Sequence, residues 1–188
     1  MSDIKEEQKK SLKLKRTLLP FSLTLIIASL DQITKLLVVM FLPLHKPVNI
    51  IGDLIIFRHI RNTAIAFGLG RDIPAELKQI LFLIIPLCVI VFIFLFLLKT
   101  KDLKPFQRWI LCAIMGGGIG NLLDRFIRPA GVVDFIDMKT FGLFGFKRWP
   151  VYNIADMTIV IGISIIIISM IIEEIKTRKT HEKNEQKG

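Results

Sequence analysis

Cysteine and histidine are scarce in this chain, with two and three in 188 residues. Cys88 and Cys112 both lie inside apolar runs, which leaves no disulfide framework or thiolate metal site and reads them as small buried hydrophobes. His45 and His59 have no neighbour at a ligand spacing, so a metal centre there is not indicated. No histidine falls in an apolar span, and Ser29 stands six residues from Lys35, so serine proteolysis finds no base. A small-residue cleavage site is also missing after the first apolar stretch, so the basic start is not the head of a removable secretory signal. What remains is apolar: 52% of residues are hydrophobic and the mean hydropathy is +0.56. These residues come in runs long enough to cross a bilayer, which makes the chain an integral membrane protein. In a soluble chain a net charge of +10 would suggest nucleic acid, but here the cations sit mostly at the ends and in one short loop, where membrane lipids act.

Four spans are expected, at about 18–42, 77–98, 106–126 and 150–172, forming one membrane unit over 18–172 between a basic arm (1–17) and a charged tail (173–188). The first would rise roughly 37 Å, enough to cross with some tilt. The second has no charge after Lys78 and contains Pro86, a kink that a membrane helix tolerates, so it reads as a lipid-facing scaffold. Between the first two spans, VNII and LIIFRHI flank a Gly52-Asp53 turn and predict a small sheet on the membrane surface. The fold class is therefore an all-α polytopic membrane protein of four helices with a small β element on the outer face. An even number of spans puts both termini on one side. The arm, the 99–108 loop and the tail hold 15 basic residues in 43, against 10 in 69 for the opposite regions, which predicts cytoplasmic termini.

That orientation sets the depth of the polar residues. Asp31 and Lys35, four apart on one helical face, fall in the outer half of the first span. Asn121, Asp124 and Arg125 fall in the last two turns of the third, and Asn153 and Asp156 in the first two turns of the fourth. Asp134 lies in the short loop between them, which begins at Gly131. Every embedded charge thus shares one depth near the outer interface, where ionisable groups mark function by default. Glycines 116, 117, 118 and 120 are expected to open one helical face to a close neighbour.

Two carboxylates in one partly desolvated site cannot easily both ionise, so one can hold a proton while the other activates water. Asp134 and Asp156 form the best such pair. Asp124 is expected to be neutralised by Arg125, and Asp31 by Lys35. An interfacial transferase using an aspartate-bound metal is the alternative, and a small transporter or scaffold a third reading. The aspartates lack a His or Glu at a familiar spacing, and charges gathered at one end do not line a conducting path.

Five motifs occur in order: DQITK at 31–35, NTAIAFG at 62–68, GGGIGNLLDR at 116–125, VVDFID at 132–137 and YNIAD at 152–156. With four spans, this set resembles the lipoprotein signal peptidases, the signal peptidase II family of bacterial intramembrane aspartyl proteases. The resemblance implies an aspartic endopeptidase that removes the signal peptide of a diacylglyceryl-modified prolipoprotein just before the lipidated cysteine. It implies catalysis by Asp134 and Asp156, with Asp31, Lys35, Asn62, Asn121, Asp124, Arg125 and Asn153 binding substrate or supporting the site. No metal or other cofactor is implied. A monomer is expected in the bacterial cytoplasmic membrane, with lipidated precursors and lipids as partners. Ala64 stands where the family usually has glycine, and the Phe/Gly-rich stretch at 140–149 looks longer than the family needs, which suggests an altered cover over the site.

Overall fold

The computed structural model describes residues 6–7, 14, 17–63, 74–100 and 103–185. Four helices are long and apolar enough to cross a membrane. They are α1 (Phe21–Phe41), α2 (Ala75–Lys99), α3 (Pro105–Ile127) and α4 (Ile154–Glu185). A three-stranded antiparallel sheet joins β1 (Pro47–Ile51), β2 (Ile55–Asn62) and β3 (Val132–Met138), in that spatial order.

Helix α3 is the hub, packed against each of the other three helices. Its glycines explain how. A Cβ on Gly116 would come within 2.7 Å of the Thr24 carbonyl on α1, and one on Gly117 within 2.7 Å of the Ala155 carbonyl on α4. Gly118 faces Ile90 of α2 at 3.2 Å, and Gly120 lies against the Asp31 carboxylate. The glycines therefore do not open a single face, as the sequence suggested. Successive helical residues point about 100° apart, so the four glycines admit three different neighbours. Thr24 adds a hydrogen bond from its hydroxyl to the Cys112 carbonyl, 2.8 Å away.

Helix α2 runs unbroken through Pro86 and leaves most of its side chains to lipid. In its last turn Leu97 alone is buried, packed with Cys112 and Met115. Arg108 of α3 donates to the carbonyls of Leu97 and Thr100, covering acceptors that the end of α2 leaves open.

Three placements differ from expectation. Asp134 is not in a loop: the run VVDFIDM is β-prone, and it pairs as β3 with β2, Asp134 opposite Ile60 and Asp137 opposite Ile56. Helix α4 begins at Ile154 instead of about 150, because Tyr152 is held extended by an antiparallel bridge to Ile136. It then continues past 172 to Glu185, carried into the charged tail by pairs such as Arg178 with Glu174 at 2.8 Å. The sheet rests on the end of α1: Val38, Val133 and Phe135 form one buried cluster with Leu42, Phe57, Ile136 and Ile154 packed around it.

Candidate active site

Lys35 sits at the centre of the polar network and is fully buried. Its ammonium has three N–H groups and three acceptors: Asp31 at 2.8 Å, Asn121 Oδ1 at 2.9 Å and Asp124 at 3.2 Å. Burial of such ions is tolerable only when every polar atom is matched, and here the match extends outward. Asp31 Oδ1 accepts the Ala155 N–H at 3.0 Å, satisfying a donor that the start of α4 would otherwise orphan. Asp124 Oδ2 accepts the Val133 N–H at 2.9 Å, which ties the head of β3 to α3 one residue before Asp134.

Asp124 takes its cation from a different residue than the sequence suggested. Arg128, one turn further along, donates to Asp124 Oδ1, while Gln32 bridges Asp124 at 2.9 Å and accepts from Arg128 at 3.0 Å. Arg125, next to Asp124 in sequence, points some 100° away. It donates to the Asn121 carbonyl at 3.3 Å, and its charge is felt more by Asp156 and Asp134 than by Asp124. Arg128 had a signal available, the i,i+4 spacing from Asp124. Gln32 had none, since its role depends on where α3 lies.

The outer layer brings Asp134 and Asp156 together. Asp134 is buried, and each of its oxygens accepts one amide: Oδ2 from Asn62 at 2.8 Å and Oδ1 from Asn153 at 2.6 Å. Asp156 is only partly buried; its Oδ1 accepts from Asn121 at 2.7 Å. Asn153 lies just before α4 and caps it. Its Oδ1 accepts the Asp156 N–H at 2.9 Å while Asp156 Oδ2 accepts the Asn153 N–H at 3.3 Å, a reciprocal capping box readable in the N-x-x-D spacing. Asn153 Nδ2 also reaches Asn121 Oδ1 at 3.1 Å, so one amide pair joins both carboxylates to Lys35. Burial, and then the charge of Asp156, push the Asp134 carboxyl up to about 7, against the lowering effect of the Asn62 and Asn153 hydrogen bonds.

Gly131 is what lets β3 start here. Its φ is +104°, and a Cβ would come within 2.6 Å of the Asn62 carbonyl, so the turn and Asn62 can close together. Of the motif at 62–68, only Asn62 and Thr63 are placed; Ala64, Ile65 and Phe67 lie outside the described residues. Arg148 of the 140–149 stretch ties it to β3 and to the β1–β2 turn, bonding Asp137 at 2.6 Å and Asp53 at 3.0 Å, and the adjoining Lys139 bonds Asp53 at 2.6 Å.

The family model for signal peptidase (SPase) II matches residues 23–172. The chain is 43% identical to the lipoprotein signal peptidase of Treponema denticola over 164 residues, covering 86% of this chain and 93% of that protein. It is 41% identical to that of Treponema pallidum, covering 87% and 88%, and 44% identical to that of Borrelia hermsii, covering 76% and 84%. A solved bacterial membrane enzyme superposes with a TM-score of 0.72 at 25% identity, over 82% of this chain and 88% of that one.

Proposed function

We propose that this chain, which belongs to the signal peptidase II family, cleaves diacylglyceryl-modified prolipoproteins immediately before the lipidated cysteine, using Asp134 and Asp156. The observation that carries the assignment of roles is their asymmetry: Asp134 is buried with its carboxyl raised to about 7, whereas Asp156 is open on one side. Asp134 is then the member of the pair that holds the proton.

In the reaction, protonated Asp134 hydrogen-bonds the scissile carbonyl oxygen while ionised Asp156 takes a proton from water. The hydroxide attacks the carbonyl carbon, and the intermediate's oxygen gains the Asp134 proton. Collapse returns that proton to Asp134 as the carbonyl re-forms, and Asp156 delivers its own to the departing amine. Asn62 and Asn153 hold Asp134 from both sides, and Asn121, itself held by Lys35, donates to Asp156. The lipid chains stay in the bilayer while the peptide lies over the acids. Each methylene kept from water contributes about 0.8 kcal/mol, so an unlipidated precursor should be cleaved with much lower kcat/KM. The basic ends support an orientation with both termini in the cytoplasm and the acids at the outer face of the cytoplasmic membrane.

The test uses purified protein and a lipidated precursor. Asp134→Asn and Asp156→Asn should each fold and bind substrate yet lose cleavage, while the parent keeps full activity in EDTA. Near-native turnover by either folded variant removes the dyad, and loss of parental activity in EDTA restored by a divalent metal favours metal chemistry instead.

A further inference from the structure

The turn between β3 and α4 carries large apolar side chains at its surface. Phe141 is 77% exposed, Leu143 60% and Phe146 42%. Phe141 also has φ of 54°, a left-handed conformation that is strained for a bulky L residue. At such exposure, little packing within the protein offsets that strain. The turn is nevertheless well formed: Thr140 N–H donates to the Lys147 carbonyl and Gly142 N–H to the Phe146 carbonyl, both at 3.1 Å. Its base is clamped to Asp53 by Lys139 and Arg148. Cations flank the apolar tip: Lys147 is exposed, and the Lys139 ammonium, paired with Asp53 at the base, lies 5.4 Å from the Phe141 ring centroid. No acidic residue occurs from 138 to 155 itself.

We propose that this tip is an interfacial anchor whose partner is the phospholipid leaflet. Both arms of the turn are tied to membrane-spanning helices. The leading arm is β3, whose Val133 and Phe135 share a buried cluster with Val38 of α1, and the returning arm ends at Asn153, the cap of α4. An apolar crown with a collar of cations suits a leaflet: rings and branched chains enter the acyl boundary while ammonium groups meet phosphates. The neighbouring strand β1 is exposed along its whole length, with Val48 and Ile50 as further apolar surface in the same sheet. Tethered at the tip, the far end of the sheet is held down on the leaflet, and β3, which carries Asp134 at its other end, is fixed at both ends.

The test is spin-label accessibility in lipid nanodiscs containing anionic phospholipid. A nitroxide is placed at Leu143→Cys in a Cys88→Ala/Cys112→Ala background, with Lys179→Cys as the aqueous reference. The nickel-reagent collision rate at 143 should be several-fold lower than at 179, and the oxygen collision rate higher. Equal nickel access at the two positions overturns the anchor. Shielding that arises only when a lipopeptide substrate is added also overturns it and assigns the tip to substrate. Should the cysteine-free background fail to fold, Phe141→Trp in the native background is read by brominated phospholipids. Quenching beyond that of the parent supports the anchor, and none overturns it.

Discussion

In an unfolded chain Asp134 would release its proton near the ordinary value of 3.8, whereas in the folded protein burial and then the charge of Asp156 hold it to about 7. Below the lower value both states are protonated and nothing is lost. Between the two, the unfolded chain ionises and the folded one does not, so stability falls as pH rises; above about 7 the folded protein carries the full cost of a buried carboxylate. That cost is on the order of a few kcal/mol, since each tenfold gain in proton affinity corresponds to about 1.4 kcal/mol. Asp134→Asn removes the titration while keeping the shape. The variant should therefore melt above the parent at pH 8, with the advantage shrinking toward zero by pH 4. An offset of the same size and sign at both pH values would mean that Asp134 is not held protonated by its surroundings. The same argument explains why an inactive variant can be the more stable protein: the raised proton affinity that catalysis uses is a local cost to the fold.

Among the elements, the end of α3 separates two arginines that are three residues apart in sequence. Arg128 balances Asp124, whose other oxygen holds the Val133 N–H and so the head of β3. Arg125 bonds the Asn121 carbonyl, and its charge interacts more with Asp156 and Asp134 than with Asp124. Arg128→Gln should lower the melting temperature, because it leaves Asp124 fully buried with only Lys35 as a cation, and loss of a buried partner costs about 3 kcal/mol. Arg125→Gln should leave the melting temperature nearly unchanged and alter kcat or KM. A thermal shift that is larger for Arg125→Gln than for Arg128→Gln would reverse the two roles. This division also marks what could be read in the sequence. The Asp31–Lys35 pair and the gathering of acids at one depth were legible because helical spacing and span direction settle them. The pairing of Asp124 was misread because adjacency in sequence is not adjacency on a helix. β3 was missed because its pairing partner, β2, lies some 70 residues earlier, and a seven-residue run cannot show that on its own.

For the molecule as a unit, the four spans were legible because length and hydropathy must satisfy the bilayer whatever the tertiary packing. The hub role of α3 was only half legible: glycine announces close approach, but which neighbour approaches depends on the bundle. The direction of insertion depends on charge alone, and here α4 adds a consideration. The helix continues beyond its apolar part to Glu185, and Glu173 pairs with Lys104 in the loop before α3, which joins the two segments on the side away from the aspartates. That side also holds the denser basic charge, and it is the end that the proposed orientation puts in the cytoplasm. Single cysteines at Leu103→Cys and Lys183→Cys should then resist an impermeant thiol reagent applied to intact cells, and Asn49→Cys, on the fully exposed β1, should react. The parent's Cys88 and Cys112 lie in membrane-spanning helices and provide the background. Labelling at 103 and 183 from outside, with 49 protected, would invert the chain and put the acids on the cytoplasmic side, against the outer-face site proposed above.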